Sequence, residues 1–250
     1  MKPYFSSSPK IIKMLSQKSL VWSIPTSEKV IYLTFDDGPV PEVTPKVLDI
    51  LDSYDVKATF FCVGENISKN PDVFKKVIDK GHKIGNHSYN HLKGWITDNE
   101  SYYNNIRKFE EFYKTELFRP PYGKISPNQI LELRNRYSII LWSVLTYDYD
   151  KNVSPFNCLN IALDNTSNGS IVVFHDSIKA SRNMLYALPK FIEKMIEKGY
   201  RFEMLSKEII NEHRQNRTNI NSMGMLSESI TKFKEKISVN IIERFSVNEK

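Results

Sequence analysis

A chain of 250 residues with 40% hydrophobic and 12% aromatic residues has enough apolar material for a sizeable core, which excludes disorder as its default state. Its 35 lysines and arginines against 29 aspartates and glutamates leave a net charge of +6 with both signs interspersed, so no basic stripe interleaved with aromatics marks a nucleic-acid partner. Cys62 and Cys158 stand singly among apolar residues, which argues against a thiolate metal site or a disulfide framework and predicts two buried thiols.

Near the N-terminus, Lys10, Lys13 and Lys18 interrupt every apolar stretch, so residues 1–29 read as an N-terminal segment without the apolar run of a secretory leader. No uncharged apolar run approaches the roughly 18 residues that cross a bilayer. The expected location is cytoplasmic, with peripheral association with the envelope as the alternative. From Val30 to about Met204, apolar runs of strand length alternate with helix-patterned segments, which predicts an α/β architecture with a parallel sheet. Strands are expected at Val30 to Phe35, Lys57 to Val63, His82 to Gly85, Leu117 to Phe118, Ile139 to Val144, Ile171 to Phe174 and Arg201 to Met204. Helices fit between them, opened by a capping residue and a proline at Thr44-Pro45, Asn70-Pro71, Ser126-Pro127 and Ser154-Pro155,. Gly81 and Gly199 stand where left-handed C-terminal caps belong,. About seven strand–helix repeats predict a closed or nearly closed (β/α) barrel, with an open doubly wound sheet as the alternative. Residues 206–250 turn polar and then place Leu226, Ile230, Phe233, Ile237 and Ile241 three and four apart. That spacing predicts a linker and an amphipathic helix whose mixed-charge face suits packing on protein better than on a membrane.

Chemistry concentrates at the predicted strand ends. Thr34-Phe35-Asp36-Asp37-Gly38-Pro39 puts adjacent carboxylates at the C-terminal edge of a parallel strand, where such folds place active sites. Like charges so close are commonly neutralised by a metal or an arginine. Gly85-Asn86-His87-Ser88-Tyr89-Asn90-His91 separates two histidines by four positions, and one helical turn would put both imidazoles on one side. With one carboxylate they make a two-His-one-carboxylate set that leaves coordination positions open. His82 and His213 lie in helix-end or polar surroundings. Two further strand ends carry Arg119-Pro120-Pro121-Tyr122-Gly123 and Phe174-His175-Asp176. A histidine there can protonate a leaving group, and an arginine can orient a carboxylate. Taken singly, each has a plainer reading: a tight loop, a satisfied core histidine, a surface ion pair.

Taken together, T-F-D-D-G-P, H-S-x-x-H, R-x-P-Y-G and a late apolar-x-His-Asp stand in order from Thr34 to Asp176. On these motifs the sequence resembles the polysaccharide deacetylases that share the NodB-homology fold, over about residues 30–205. The resemblance implies a distorted (β/α) barrel of about seven strands, fewer than the eight-stranded kind, and metal-dependent removal of N-acetyl groups from N-acetylglucosamine-type sugars, a carbohydrate being the partner. It implies Asp37, His87 and His91 as metal ligands, the ion being Zn²⁺, with Co²⁺ or another divalent ion as alternatives. It further implies Asp36 as general base oriented by Arg119, the Tyr122 backbone N–H as oxyanion donor, and His175 as acid, held protonated by Asp148. The family's D-x-x-D-W motif reads here Leu145-Thr146-Tyr147-Asp148-Tyr149, which alters the wall of the acetyl-methyl pocket that Tyr149 and Val173 would share. That departure bears on substrate identity more than on chemistry. Short loops predict a shallow, open groove. The rival readings are a non-haem iron oxygenase, which the α/β pattern opposes, a deacylase of another amide or ester, and a silent carbohydrate-binding relative, to which a base and an acid would be of no use.

Overall fold

In a computed structural model, residues 19–212 are described; the amphipathic helix expected over Leu226 to Ile241, the linker before it after residue 212, and His213 lie outside them. Strands β1 (Leu20–Val21), β2 (Val30–Asp36), β3 (Thr59–Cys62), β4 (Lys83–Asn86), β5 (Leu117–Phe118), β6 (Ser138–Ile140), β7 (Val144–Leu145), β8 (Ser170–His175) and β9 (Arg201–Glu203) form one sheet in the order β1-β6-β5-β4-β3-β2-β8-β7, with β9 also on β2. Every ladder between these strands is parallel. β9 takes the first part of β2, at Val30 to Tyr32, and β3 takes the last part, at Thr34 to Asp36. The result is the expected distorted (β/α) barrel, curled and open between the edge strands β1 and β7.

Between the strands lie the helices α1 (Thr44–Ser53), α2 (Gly64–Lys69), α3 (Pro71–Asp79), α4 (Asn99–Phe109), α5 (Pro127–Leu133), α6 (Pro155–Asn165) and α7 (Ser181–Glu197). Parallel strands covered on both faces need near-continuous apolar runs, and β2 is buried at every residue. On the helix side, Phe35 stacks on Phe60 with ring centres 4.9 Å apart, and Phe174 reaches Phe191 of α7. A fully buried phenylalanine contributes roughly 1.5–3 kcal/mol by leaving water, so this aromatic layer fixes β2, β3 and β8 beside one another.

The punctuation is mostly as expected. Ser154 Oγ accepts from Asn157 N at 3.1 Å, Ser126 closes a capping box with Gln129, and Gly81 and Gly199 adopt φ of 77° and 81°. Thr44 differs. It lies inside α1, and its hydroxyl donates to Asp176 Oδ2 at 2.6 Å and accepts from Val40 N at 2.7 Å. Asn70 precedes α3 without capping it, because its amide donates to the carbonyls of Pro39 and Asn66. The single strand expected over Ile139 to Val144 is two, β6 and β7. The ladder breaks where the Leu141 carbonyl accepts from Arg119 Nη2 at 3.1 Å and Ser143 Oγ accepts from Ile171 N. β1, which pairs with β6, falls inside the segment 1–29 for which no strand is expected. Both cysteines are buried and free. Among the described residues no helix is long and apolar enough to cross a membrane.

Candidate active site

The candidate groups gather at the C-terminal ends of the strands. In-register residues of neighbouring parallel strands share a face, and β2 and β8 pair Thr34 with Val173 and Asp36 with His175. Asp36 and His175 therefore stand side by side, with Thr34 and Val173 one layer beneath. That layering corrects one expectation. Val173 is fully buried and does not line the cleft, and Leu145, its register partner on β7, does instead.

After β2 the chain turns sharply. Asp37 takes a left-handed φ of 82°, and its carbonyl accepts from Asn66 Nδ2 at 2.7 Å. The next residue must be glycine, because a Cβ on Gly38 would lie 1.9 Å from Asp176 Oδ2. In that space the Gly38 N–H donates to Asp176 Oδ1 at 3.0 Å. The turn thus separates two adjacent carboxylates, sending Asp36 toward Arg119 and Asp37 toward the histidines.

The histidine pair does not sit on a helix. Residues 87–91 are irregular, with Ser88 and His91 at φ of 61° and 57°, and Asn105 Oδ1 on α4 accepts from both Tyr89 N and Asn90 N at 2.9 Å. This double kink brings the two rings to 4.9 Å between centres. His87 Nδ1 lies 2.8 Å from the Arg119 carbonyl. A carbonyl only accepts, so Nδ1 carries the proton and Nε2 offers a bare lone pair. His87 Nε2 is 3.7 Å and His91 Nε2 3.2 Å from Asp37 Oδ1. One ligand atom from each of Asp37, His87 and His91 lies within 4.8 Å of the others. Burial brings the His87 imidazole down to about 4, so it is neutral at ordinary pH. Burial acts to raise Asp37, but its hydrogen bond with His91 and the three nearby imidazoles outweigh burial and hold the carboxyl far below its ordinary value. A carboxylate and two histidines, with one tautomer already set, fit the donor preferences of a borderline divalent ion.

Arg119 is buried beneath this set. Its Nη1 donates to Asp36 Oδ1 at 2.7 Å and Thr34 Oγ1 at 2.8 Å, its Nη2 to the Leu141 carbonyl, and its plane lies 4.1 Å over Phe61. A guanidinium so fixed allows Asp36 little rotation. On β8, beside Asp36, His175 Nδ1 lies 2.7 Å from Asp148 Oδ1, and His175 N donates to Asp148 Oδ2 at 2.7 Å. Burial pulls His175 down, yet the Asp148 charge and hydrogen bond, with Asp37 and Asp36 behind them, bring it up to about 9.

Between these groups lies a cleft of about 390 Å³, lined by Asp36, Asp37, His87, His91, Tyr122, Trp142, Leu145, Tyr149, His175 and Lys179. Tyr122 occupies a one-turn 3₁₀ segment at φ 60°. The N–H groups of Gly123 and Lys124 there return to the Pro120 and Pro121 carbonyls. Tyr149 presents its ring edge-on to His175, 4.9 Å between centres. Trp142 and Lys179 are cleft residues that sequence reasoning missed. Trp142 is hidden in an apolar run, and Lys179 follows the His175-Asp176 strand end in a loop with no chemical pattern.

The polysaccharide deacetylase family model matches residues 23–137. A peptidoglycan-N-acetylglucosamine deacetylase of Bacillus cereus is 36% identical over 201 residues, covering 78% of this chain and 94% of its own. A crystal structure of a peptidoglycan N-acetylglucosamine deacetylase, in complex with 4-naphthalen-1-yl-N-oxidanyl-benzamide, superposes with a TM-score of 0.74 at 36% identity, over 79% of this chain and 95% of that one. The crystal structure of a CE4 family pseudoenzyme from Bacillus anthracis superposes with a TM-score of 0.68 at 25% identity, over 76% of this chain and 68% of that one. With four motifs in order, a parallel barrel and a full-length relative at this identity, the chain belongs to the polysaccharide deacetylase family and is a hydrolase of N-acetyl amide bonds.

Proposed function

We propose that the chain removes N-acetyl groups from N-acetylglucosamine units of a peptidoglycan-type glycan, using a divalent ion, Zn²⁺, held by Asp37, His87 and His91. The observation that carries this reading is the convergence of those ligand atoms within 4.8 Å between an arginine-held carboxylate and a carboxylate-held histidine. When bound, the ion supplies Lewis acidity toward an acyl oxygen and acidifies water.

The remaining chemistry is that of the chain's own side chains. Asp36, oriented by Arg119, takes a proton from the attacking water. The Tyr122 N–H donates to the acyl oxygen as negative charge gathers there. His175, kept protonated by Asp148, gives its proton to the departing amine. Tyr149 and Leu145 wall the space for the acyl methyl. The relatives named for peptidoglycan N-acetylglucosamine supply the sugar in this reading. A cytoplasmic chain would meet a sugar precursor rather than the assembled polymer, so comparing intact strands with monomeric N-acetylglucosamine decides between the two.

The test is acetate release from N-acetylglucosamine oligomers, with chelation and Zn²⁺ add-back. Asp36→Asn is expected to keep stoichiometric metal while kcat falls about 10²- to 10⁴-fold, and His87→Ala to lose both. Full activity in either variant refutes the assignment. The Leu145 and Tyr149 departures favour one second reading, a deacylase of another amide or ester. Metal-dependent hydrolysis of aryl acetates without acetate release from the sugar would select it. Stoichiometric metal with no turnover of either substrate would select a silent relative.

A further inference from the structure

Two lysines stand over the two tyrosines that frame the cleft. Lys93 Nζ lies 4.9 Å from the centre of the Tyr122 ring, which packs on His91 at 4.5 Å. Lys179 Nζ lies 5.2 Å from the centre of the Tyr149 ring, which packs on His175 at 4.9 Å. Each wall therefore repeats one arrangement of histidine, tyrosine and lysine from the floor outward. Both lysines are exposed. Among the described residues neither lysine has a carboxylate within 4.0 Å, which is equally true of Lys108 over Tyr89, Lys124 over Trp95 and Lys190 over Tyr186; what sets Lys93 and Lys179 apart is that their tyrosines line the cleft and pack on its histidines.

An exposed ammonium over an aromatic face gains only about 0.5–1 kcal/mol. A carboxylate arriving beside it makes a charge-assisted hydrogen bond without displacing the ring. Such a pair is positioned for a ligand that brings negative charge to both sides of the reacting group. A neutral oligomer of N-acetylglucosamine has no use for it. Resting on the deacetylase reading above, we propose that Lys93 and Lys179 are specificity residues that bind carboxylates on the units flanking the deacetylated sugar, so that the substrate is an acidic glycan. The carboxylate is either the lactyl acid of a neighbouring N-acetylmuramic residue or a carboxylate of a peptide attached to it.

The test compares a neutral N-acetylglucosamine tetramer, an alternating oligosaccharide with N-acetylmuramic acid, and the same oligosaccharide carrying its peptide. The wild-type enzyme is expected to prefer the acidic glycans in kcat/KM, mainly through KM and less so as salt rises. Lys93→Gln and Lys179→Gln are each expected to lower the acidic-to-neutral ratio by about three- to fivefold, and Lys→Arg at either position to retain it. A preference already present with the lactyl acid alone, or only with the peptide, identifies which carboxylate is bound. Damage to the cleft lowers both kinds of substrate together, so an unchanged ratio in the double Gln variant overturns the proposal, as does a wild type that favours the neutral tetramer. Titration of the acidic oligosaccharide into Zn²⁺-loaded Asp36→Asn protein separates this inference from the reaction beneath it. Lysine-dependent binding with no acetate release in wild type keeps the acidic subsite and removes the deacetylase reading. Release without lysine-dependent binding does the reverse.

Discussion

The two walls of the cleft use the same device for opposite ends. On each, a histidine at a strand end is fixed through Nδ1, His87 by the Arg119 carbonyl at 2.8 Å and His175 by the Asp148 carboxylate at 2.7 Å. Both rings are largely shielded from water, so burial disfavours the imidazolium in both. The neutral carbonyl offers little against that cost, and His87 stays down at about 4. The carboxylate overturns it, and His175 rises to about 9. One wall thus presents a lone pair for a cation and the other a proton for a leaving group, and the difference follows from the acceptor at Nδ1 together with the His91 ring, which also lowers His87,.

The largest expected effect comes from erasing that difference. Asp148→Asn leaves an amide beside His175 and removes the charge that holds its proton. We expect kcat to fall about 10²- to 10⁴-fold, with the alkaline limb of the pH–kcat profile moving to lower pH. The sign follows from His175: its acid form is lost as pH rises through about 9 in the wild type, and a cation on Asp37 opposes one of the charges that raise it, so the loaded enzyme's limb lies below that value. A limb that stays in place in the variant would remove His175 from the role of acid.

A smaller effect is expected at the residue that serves both ends of the reaction. Arg119 holds His87 with its backbone and Asp36 with its side chain. Arg119→Lys keeps the carbonyl and loses the fork. Zn²⁺ stoichiometry is expected to be retained while kcat falls about 10²-fold through misplacement of Asp36. Loss of metal along with turnover would show that the guanidinium, not the carbonyl, orders the ligand wall.

Much of this arrangement was legible in the sequence, for definite reasons. Strands buried on both faces must be written as apolar runs, and the reactive residues follow those runs directly, so Asp36, Asp37, Arg119 and His175 are found at strand ends as expected. What was not legible depends on contacts distant in sequence. His87 and His91 meet through left-handed kinks held by Asn105 on α4, which a spacing of four mimics as a helical turn. The break between β6 and β7 lies inside an apolar run because what breaks it comes from elsewhere in the chain, Arg119 from just after β5 and Ile171 from β8. Val173 has the composition of a pocket wall, but register with Thr34 places it one layer too deep. Thr44 has the sequence context of a cap and serves Asp176 instead.

Asp176 joins the two walls, and the smallest predicted effect concerns it. It follows His175 on the acid side, and it holds the Asp36-Asp37 turn by accepting from Gly38 N and Thr44 Oγ1. Burial brings its carboxyl up to about 7 from an ordinary 3.8, Asp37 adding to the rise and Thr44 and Gly38 opposing it. A carboxyl whose pKa is raised on folding contributes stability that is complete below the unfolded value and is lost as pH rises through the folded one. In metal-free protein, Asp176→Asn keeps an acceptor for Gly38 and has no proton to lose. The variant's Tm is therefore expected to gain on the wild type by about 3 °C, roughly 1 kcal/mol for a chain of this size, as pH rises from about 4 to about 7, and to hold that gap above it. Thermal melts in chelator across that range give the answer. A gap that does not move with pH would mean that Asp176 is ionised throughout, with the Gly38 N–H and the Thr44 hydroxyl offsetting its burial, and that the clip between the walls is a fixed charge.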